Sequence, residues 1–306
     1  MKLPVFDFMG KRRVAAMASI VAVALSVGFL GFRGLNLGLD FTGGTLVEVG
    51  FPSAVDPVAV RIGLESGGFV DGVVQHFGTD RDILIRMPPQ PGTEQATLGD
   101  RILAAIREDS PGAVMRQSNF VGPVVGEELA ESAGLAILTA LGVVMLYILF
   151  RFTKQFAVGA VAALAHDVAV VLGIFAIAGW DFDLPVVAAV LAVVGYSLND
   201  TIVVSDRIRE NFRTIRKGSS VDVINNSLNQ ILGRTLVTSL TTLFVLLALL
   251  IAGGEGIRGF AAALTIGVVV GTYSSIYVAA NVLLLMNISR EDLVVPEKER
   301  ERDTYP

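Results

Sequence analysis

Six stretches of this chain are apolar almost without interruption, at residues 14–32, 131–150, 156–179, 184–205, 235–252 and 259–286. At about 1.5 Å of rise per residue, each is long enough as a helix to cross a hydrocarbon layer of about 30 Å. Between the first and second stretches the pattern changes. In GLDFTGGTLVEVGF, at 38–51, a glycine-rich turn feeds an alternating strand at 45–50, and Gly43 and Gly44 mark backbone that must bend. The periodicity then predicts a helix over 57–66, strands over 72–77 and 82–87, a helix over 94–108 and a strand over 113–119. The short connection Gly78, Thr79, Asp80 and Arg81 makes the two middle strands a hairpin. The order is βαββαβ, that of a ferredoxin-like two-layer unit. The expected fold is therefore a polytopic α-helical membrane protein with six transmembrane helices and one α+β domain, residues 36–125, between helices 1 and 2.

Basic residues orient the spans. Lys11, Arg12 and Arg13 precede the first span, which is too long for a signal-peptide core and reads as an uncleaved anchor. Arg151 and Lys154 follow the second span, and Arg207, Arg209, Arg213, Arg216, Lys217 and Arg234 lie between the fourth and fifth. By the positive-inside rule these are cytoplasmic, with the loop at 206–233, the N-terminus at 1–13 and a charged, solvated tail at 290–306. The α+β domain then lies on the outer side, with Asp181, Asp183, Glu255 and Arg258 in the other outer connections.

Composition narrows the chemistry. Of 306 residues, 53% are hydrophobic and 17% charged, which fits membrane spans rather than a soluble domain of this size. The net charge of −5 gives no nucleic-acid groove. The absence of cysteine excludes disulfides and thiolate sites, and two histidines, His76 and His166, make a histidine-rich metal site a poor reading.

The informative residues are charges inside the spans, because an ionised group in hydrocarbon is costly unless paired, hydrated or protonated. Asp167 lies near the middle of the third span beside His166, with Ala160 and Ala163 at helical spacing on the same side. In the fourth span Ala188, Ala192, Gly195 and Asn199 form a small-residue stripe that admits a close helix neighbour. Asp200 projects about 100° from that stripe, with Ser197 and Tyr196. The fifth span opens with Arg234 and carries Thr235, Thr238, Ser239 and Thr242. In the sixth, Gly267, Gly271 and Ser275 read first as a packing face. Together Asp167, Asn199, Asp200, Arg234, Thr238 and Thr242 have the composition of a proton relay, in which burial and the nearby Arg would pull the proton affinity of Asp200 in opposite directions.

Six motifs carry a family resemblance: LDFTGGT at 39–45, VGPVVGEEL at 121–129, ALAHDV at 163–168, GYSLNDTIVVSDRIREN at 195–211, RTLVTSLTTL at 234–243 and GTYSS at 271–275. They resemble the SecD/SecF family of bacterial protein-export membrane proteins over nearly the whole chain. The resemblance implies a six-span half of a resistance-nodulation-division type fold in the inner membrane, paired with SecD as a heterodimer and associated with the SecY, SecE and SecG channel and with YajC. It implies a transport subunit rather than an enzyme, with protons as coupling ion and no other cofactor, acting late in the export of unfolded preproteins. The family's NDT aspartate and RT arginine, tied to proton conduction, fall on Asp200 and Arg234, and its glycine motif on Asp40, Phe41, Gly43 and Gly44. Competing readings are an intramembrane aspartyl protease using Asp167 and Asp200, a small-molecule efflux subunit of the same superfamily, and a structural subunit that moves no protons.

Overall fold

The computed structural model of the chain describes residues 5–90, 95–290 and 292. The expected tail at 290–306, apart from Arg290 and Asp292, and the expected helix start at Glu94 lie outside them.

The α+β domain forms where alternation predicts it. Strand β2 (Gly44–Gly50) turns Val47 and Val49 inward, and β4 (Thr79–Met87) does the same with Ile83, Ile85 and Met87. The two strands pair antiparallel with Val47 opposite Ile85 and Val49 opposite Ile83, so one face of the sheet is continuously apolar. With β3 (Val73–Phe77) and β5 (Val114–Val121) the sheet order is β3-β4-β2-β5, every pairing antiparallel. Helices α3 (Pro57–Ser66) and α4 (Gln95–Asp109) cover the apolar face through Val60, Leu64, Leu98 and Ile102. Pro57 starts α3 at N1 and the Asp56 carboxylate accepts from the Val58 amide at 2.9 Å, a proper helix cap.

Six helices are long and apolar enough to span a membrane: α1 (Arg12–Phe32, preceded by a short turn), α5 (Pro123–Arg151), α6 (Lys154–Ala178), α7 (Leu184–Thr214), α8 (Ser220–Ala252) and α9 (Glu255–Leu285). Several are longer than their apolar cores. The stretch 206–233, expected as a loop, is helical except at 215–219: α7 runs on to Thr214 and α8 begins at Ser220. Nothing in 200–214 breaks a helix, and the pairs Asp206–Arg209 and Arg207–Glu210 at i,i+3 support its polar end. The break comes at Gly218, with φ +115°, and at Ser219, whose hydroxyl forms a capping box with Asp222.

Helix α9 lies at the centre, against α1, α6, α7 and α8. Glycines permit this: a side chain at Gly267 would collide with Val193 of α7, and one at Gly271 would sit 3.2 Å from Ser197 Cβ. On the other side, Gly159 of α6 leaves room for the Ala279 carbonyl. By contrast α1 and α5 expose most of their apolar side chains, as helices facing lipid would.

The domain is tied to the bundle by the glycine motif. The one-turn helix α2 (Leu39–Thr42) places Asp40 so that its Oδ2 accepts from the Leu184 amide at 3.0 Å, at the start of α7. Beside it β1 (Asn36–Leu37) pairs parallel with β6 (Asp181–Phe182), Phe41 stacks on Phe182 at 6.1 Å, and Arg86 of β4 forms an ion pair with Asp181. Gly43 and Gly44 have φ of +66° and +123°. A Cβ at Gly43 would lie 2.8 Å from Pro123 Cα, and one at Gly44 2.5 Å from the Met87 carbonyl oxygen, so both are required on steric as well as conformational grounds.

Asp183 caps α7 by accepting from the Val186 amide at 3.0 Å. Burial raises its pKa above the ordinary 3.8 by more than the Val186 hydrogen bond lowers it, and Asp40 adds repulsion. The folded state thus holds this proton to higher pH than the unfolded chain, and the joint should lose stability as pH rises from 3.8 through the raised folded value. Asp183→Asn keeps the cap without the charge and should remove that slope. Thermal midpoints over a pH series, followed by fluorescence of the single tryptophan, Trp180, measure it; an unchanged slope would assign the titration to another group.

Candidate functional site

Asp167 sits on α6 with no exposed surface. Its Oδ2 accepts from the hydroxyls of Ser197 on α7 at 2.5 Å and Ser274 on α9 at 2.7 Å, and its Oδ1 lies 2.9 Å from His166 Nδ1. Three partners from three helices offset much of the cost of burying this carboxylate.

The segment Gly271–Ser275 organises the polar interior. Successive residues of a helix point about 100° apart, so four in a row look in all directions around its axis. Here each finds a different helix. Thr272 meets Ser239 of α8 at 2.7 Å, and Tyr273 donates to the Ala15 carbonyl of α1 at 2.7 Å, with Ser19 at 3.0 Å. Ser274 holds Asp167, and Ser275 meets Thr201 of α7 at 2.9 Å.

Asp200, on α7, is buried against α8. Its Oδ1 accepts from Thr235 at 3.2 Å and its Oδ2 has no hydrogen-bond partner. Arg234 is exposed and within electrostatic reach of Asp200, but no ion pair joins them. The hydroxyls expected beside Asp200 are directed elsewhere: Thr238 bonds the Arg234 and Thr235 carbonyls, and Thr242 bonds the Thr238 carbonyl, within their own helix. Thr235 takes that place.

The expected relay residues therefore divide. Asp167 and Asp200 are buried with separate partners, and no hydrogen bond links them as a protease dyad would require. Asn199, Arg234 and Thr238 are exposed. The packing stripes divide in the same way: Gly267 and Gly271 are buried between α9 and α7, whereas Ala188, Ala192 and Gly195 lie in line with Asn199 on an open face of α7. Sequence reasoning missed Ser274 as a carboxylate partner, included Thr235 in the hydroxyl stripe of the fifth span without singling it out, and placed Ser197 with Asp200 rather than Asp167. The run of polar residues in GTYSS, too polar for a lipid-facing turn, was the available signal.

The C-terminal model of the protein export membrane proteins SecD/SecF matches residues 102–289, and the SecD/SecF GG motif matches 28–52. The chain is similar to the protein translocase subunit SecF of Vibrio alginolyticus, 50% identical over 96% of this chain and 94% of that one. It is similar as well to SecF of Escherichia coli O157:H7, 43% identical over 99% and 94%. Its fold resembles the crystal structure of SecDF, a translocon-associated membrane protein from Thermus thermophilus, with TM-score 0.84 and 40% identity. That match covers 93% of this chain and 39% of the SecDF chain.

The two glycine classes separate by experiment. Gly267→Leu should drive α9 from Val193, lowering both the yield of monodisperse protein and its thermal midpoint. Gly195→Leu, which meets nothing within 4 Å, should leave the midpoint of the purified chain unchanged. Equal damage from both would show that the α7 stripe packs within the chain.

Proposed function

The chain belongs to the SecD/SecF family of protein-export membrane proteins, and we propose that, paired with a SecD chain, it uses a proton gradient to assist late steps of protein translocation across the bacterial inner membrane. The observation that carries this reading is Asp200: a buried carboxylate with one oxygen unpartnered, at the border between a packed core and an open helix face. Such a group is poised between a charged form that is costly to bury and a neutral form that costs less. Each proton that falls through 100 mV releases about 2.3 kcal/mol, so a few are enough to drive a conformational cycle.

Support for the partner comes from the open face of α7. Ala188, Ala192, Gly195 and Asn199 suit close approach by another helix, and they are exposed among the described residues. In the Thermus thermophilus relative, named SecDF, a single chain contains a segment like this one as 38% of its length. In this reading the remaining partners are the SecY, SecE and SecG channel, YajC and the unfolded preprotein, with the α+β domain in the periplasm and both termini in the cytoplasm. Arg234 favours the ionised form of Asp200 and resets it after each proton.

Reporters fused after Asn119, Asp183 and Glu255 should score as periplasmic, and those after Lys154, Lys217 and Arg290 as cytoplasmic; a cytoplasmic reporter after Asn119 would remove the domain from emerging chains and end this reading.

Asp200→Asn keeps the shape and cannot ionise. Export into inverted vesicles, normalised to intact complex with SecD, should fall in this variant to the level seen without a gradient, and Arg234→Met should impair the same component. Wild-type gradient stimulation per complex in Asp200→Asn would leave Asp200 an assembly residue.

A further inference from the structure

Among the described residues, two buried side-chain atoms within the spans have no hydrogen-bond partner. One is Asp200 Oδ2. The other is His166 Nε2, on a ring whose side chain is 6% exposed. We propose that His166 and Asp167 form a second proton-carrying station of the bundle, loaded and unloaded at His166 Nε2; this rests on the reading that the bundle conducts protons.

The geometry determines which atom must carry the exchangeable proton. His166 Nδ1 lies 2.9 Å from Asp167 Oδ1, and the other carboxylate oxygen is occupied by two serine hydroxyls. One proton therefore sits between Nδ1 and Oδ1 in every state of the pair, on whichever of the two atoms holds it. With Nε2 bare, the unit is a neutral imidazole beside a carboxylate and carries −1. When Nε2 takes a proton the unit becomes net neutral, whether written as imidazolium and carboxylate or as imidazole and carboxylic acid. No bond between heavy atoms forms or breaks; the proton arrives from water at the Nε2 lone pair and leaves by the same atom.

The surroundings leave His166 as the only base bonded to Asp167. No Lys or Arg pairs with this carboxylate among the described residues. From α9 the facing titratable group is Tyr273, with ring centroids 6.1 Å apart, and its hydroxyl is committed to the Ala15 carbonyl and Ser19 of α1. From α7 the neighbour is Ser197, a hydroxyl and not a charge. That serine precedes Asp200 by three residues, about 4.5 Å along the helix axis, so a change of charge at Asp167 acts on the same turn of α7 that holds the first station.

The test uses the complex with SecD carrying His76→Gln, which removes the exposed histidine of the α+β domain and leaves His166 the chain's one ring. With ring-nitrogen-labelled histidine in this chain, the His166 Nε2 resonance should move between its bare and protonated positions across the pH range in which the complex stays folded, and be absent from His166→Asn. A resonance fixed throughout overturns the station. Alongside it, His166→Asn keeps a donor to Asp167 but cannot ionise, and should lose gradient-stimulated export per intact complex. Wild-type stimulation in His166→Asn, with Asp200→Asn inactive in the same assay, overturns the station and leaves the Asp200 reading standing; wild-type stimulation in both removes that reading as well. Should His166→Asn fail to assemble, the ring titration decides.

Discussion

A hydrocarbon interior offers polar side chains no partners except one another, and the bundle is arranged around that constraint. A hydroxyl or carboxylate in mid-span must bond its own helix or reach a neighbouring one. Most threonines of α8 take the first course and bond back one turn, as Thr238, Thr241 and Thr242 do. The residues of Gly271–Ser275 take the second, and can do so only because α9 has a helix on every side. Gly267 and Gly271 let α7 come close enough for Ser275 to meet Thr201, and Gly159 lets α6 approach from the other side, where Ser274 reaches Asp167. Packing and polar satisfaction here depend on each other.

Helix α7 connects the parts of the molecule. Its first turn is held by Asp40 from the glycine motif and by Asp183, its middle carries Ser197 and Asp200, and beyond the apolar core Asp206 pairs with both Arg151 and Arg209. Those two guanidinium groups also lie over the Phe152 ring, at 5.1 and 5.9 Å, fixing the turn between α5 and α6 against the same end. A continuous helix with three anchored levels resists bending. A displacement imposed at the carboxylates is thereby felt at the α+β domain, which meets α7 through hydrogen bonds, a ring stack and an ion pair near its first turn.

The spans and the α+β domain were legible because each rests on a local pattern. Apolar runs gave the six helices, and alternation with Gly and Pro punctuation gave βαββαβ to within a few residues; α3 falls on 57–66 as expected. The polar helix ends between 206 and 233 were not legible, since loss of hydrophobicity marks the end of a membrane core and not the end of a helix. Nor does a stripe of small residues say what approaches it. Ala188, Ala192 and Gly195 look like Gly267 and Gly271 in sequence, yet the first set is open and the second is filled from within. Partners of buried carboxylates depend on which helices are neighbours, and so Ser274 emerges only from the tertiary arrangement, as does the choice of Thr235 from among the hydroxyls of its stripe.

Depth separates the two carboxylates in a way that spacing along the chain conceals. Asp200 follows Leu184 by 16 residues, about 24 Å along α7, and Arg234 precedes Ala252 by 18, about 27 Å along α8. In a core of about 30 Å, both lie toward the boundary remote from the α+β domain, where a long Arg side chain can extend to water. Asp167 lies 13 residues from Lys154 and 11 from Ala178, near the middle of α6, where no side chain can extend to either surface. In the proposed reading, a proton entering by way of Asp200 would still have about half the core to cross, and the His166–Asp167 pair lies bonded at that depth. Ser197, bonded to Asp167 and one turn from Asp200, spans the step between the two levels. The same serine packs against Gly271, so the contact that brings α9 to α7 also sets the spacing between the two buried carboxylates.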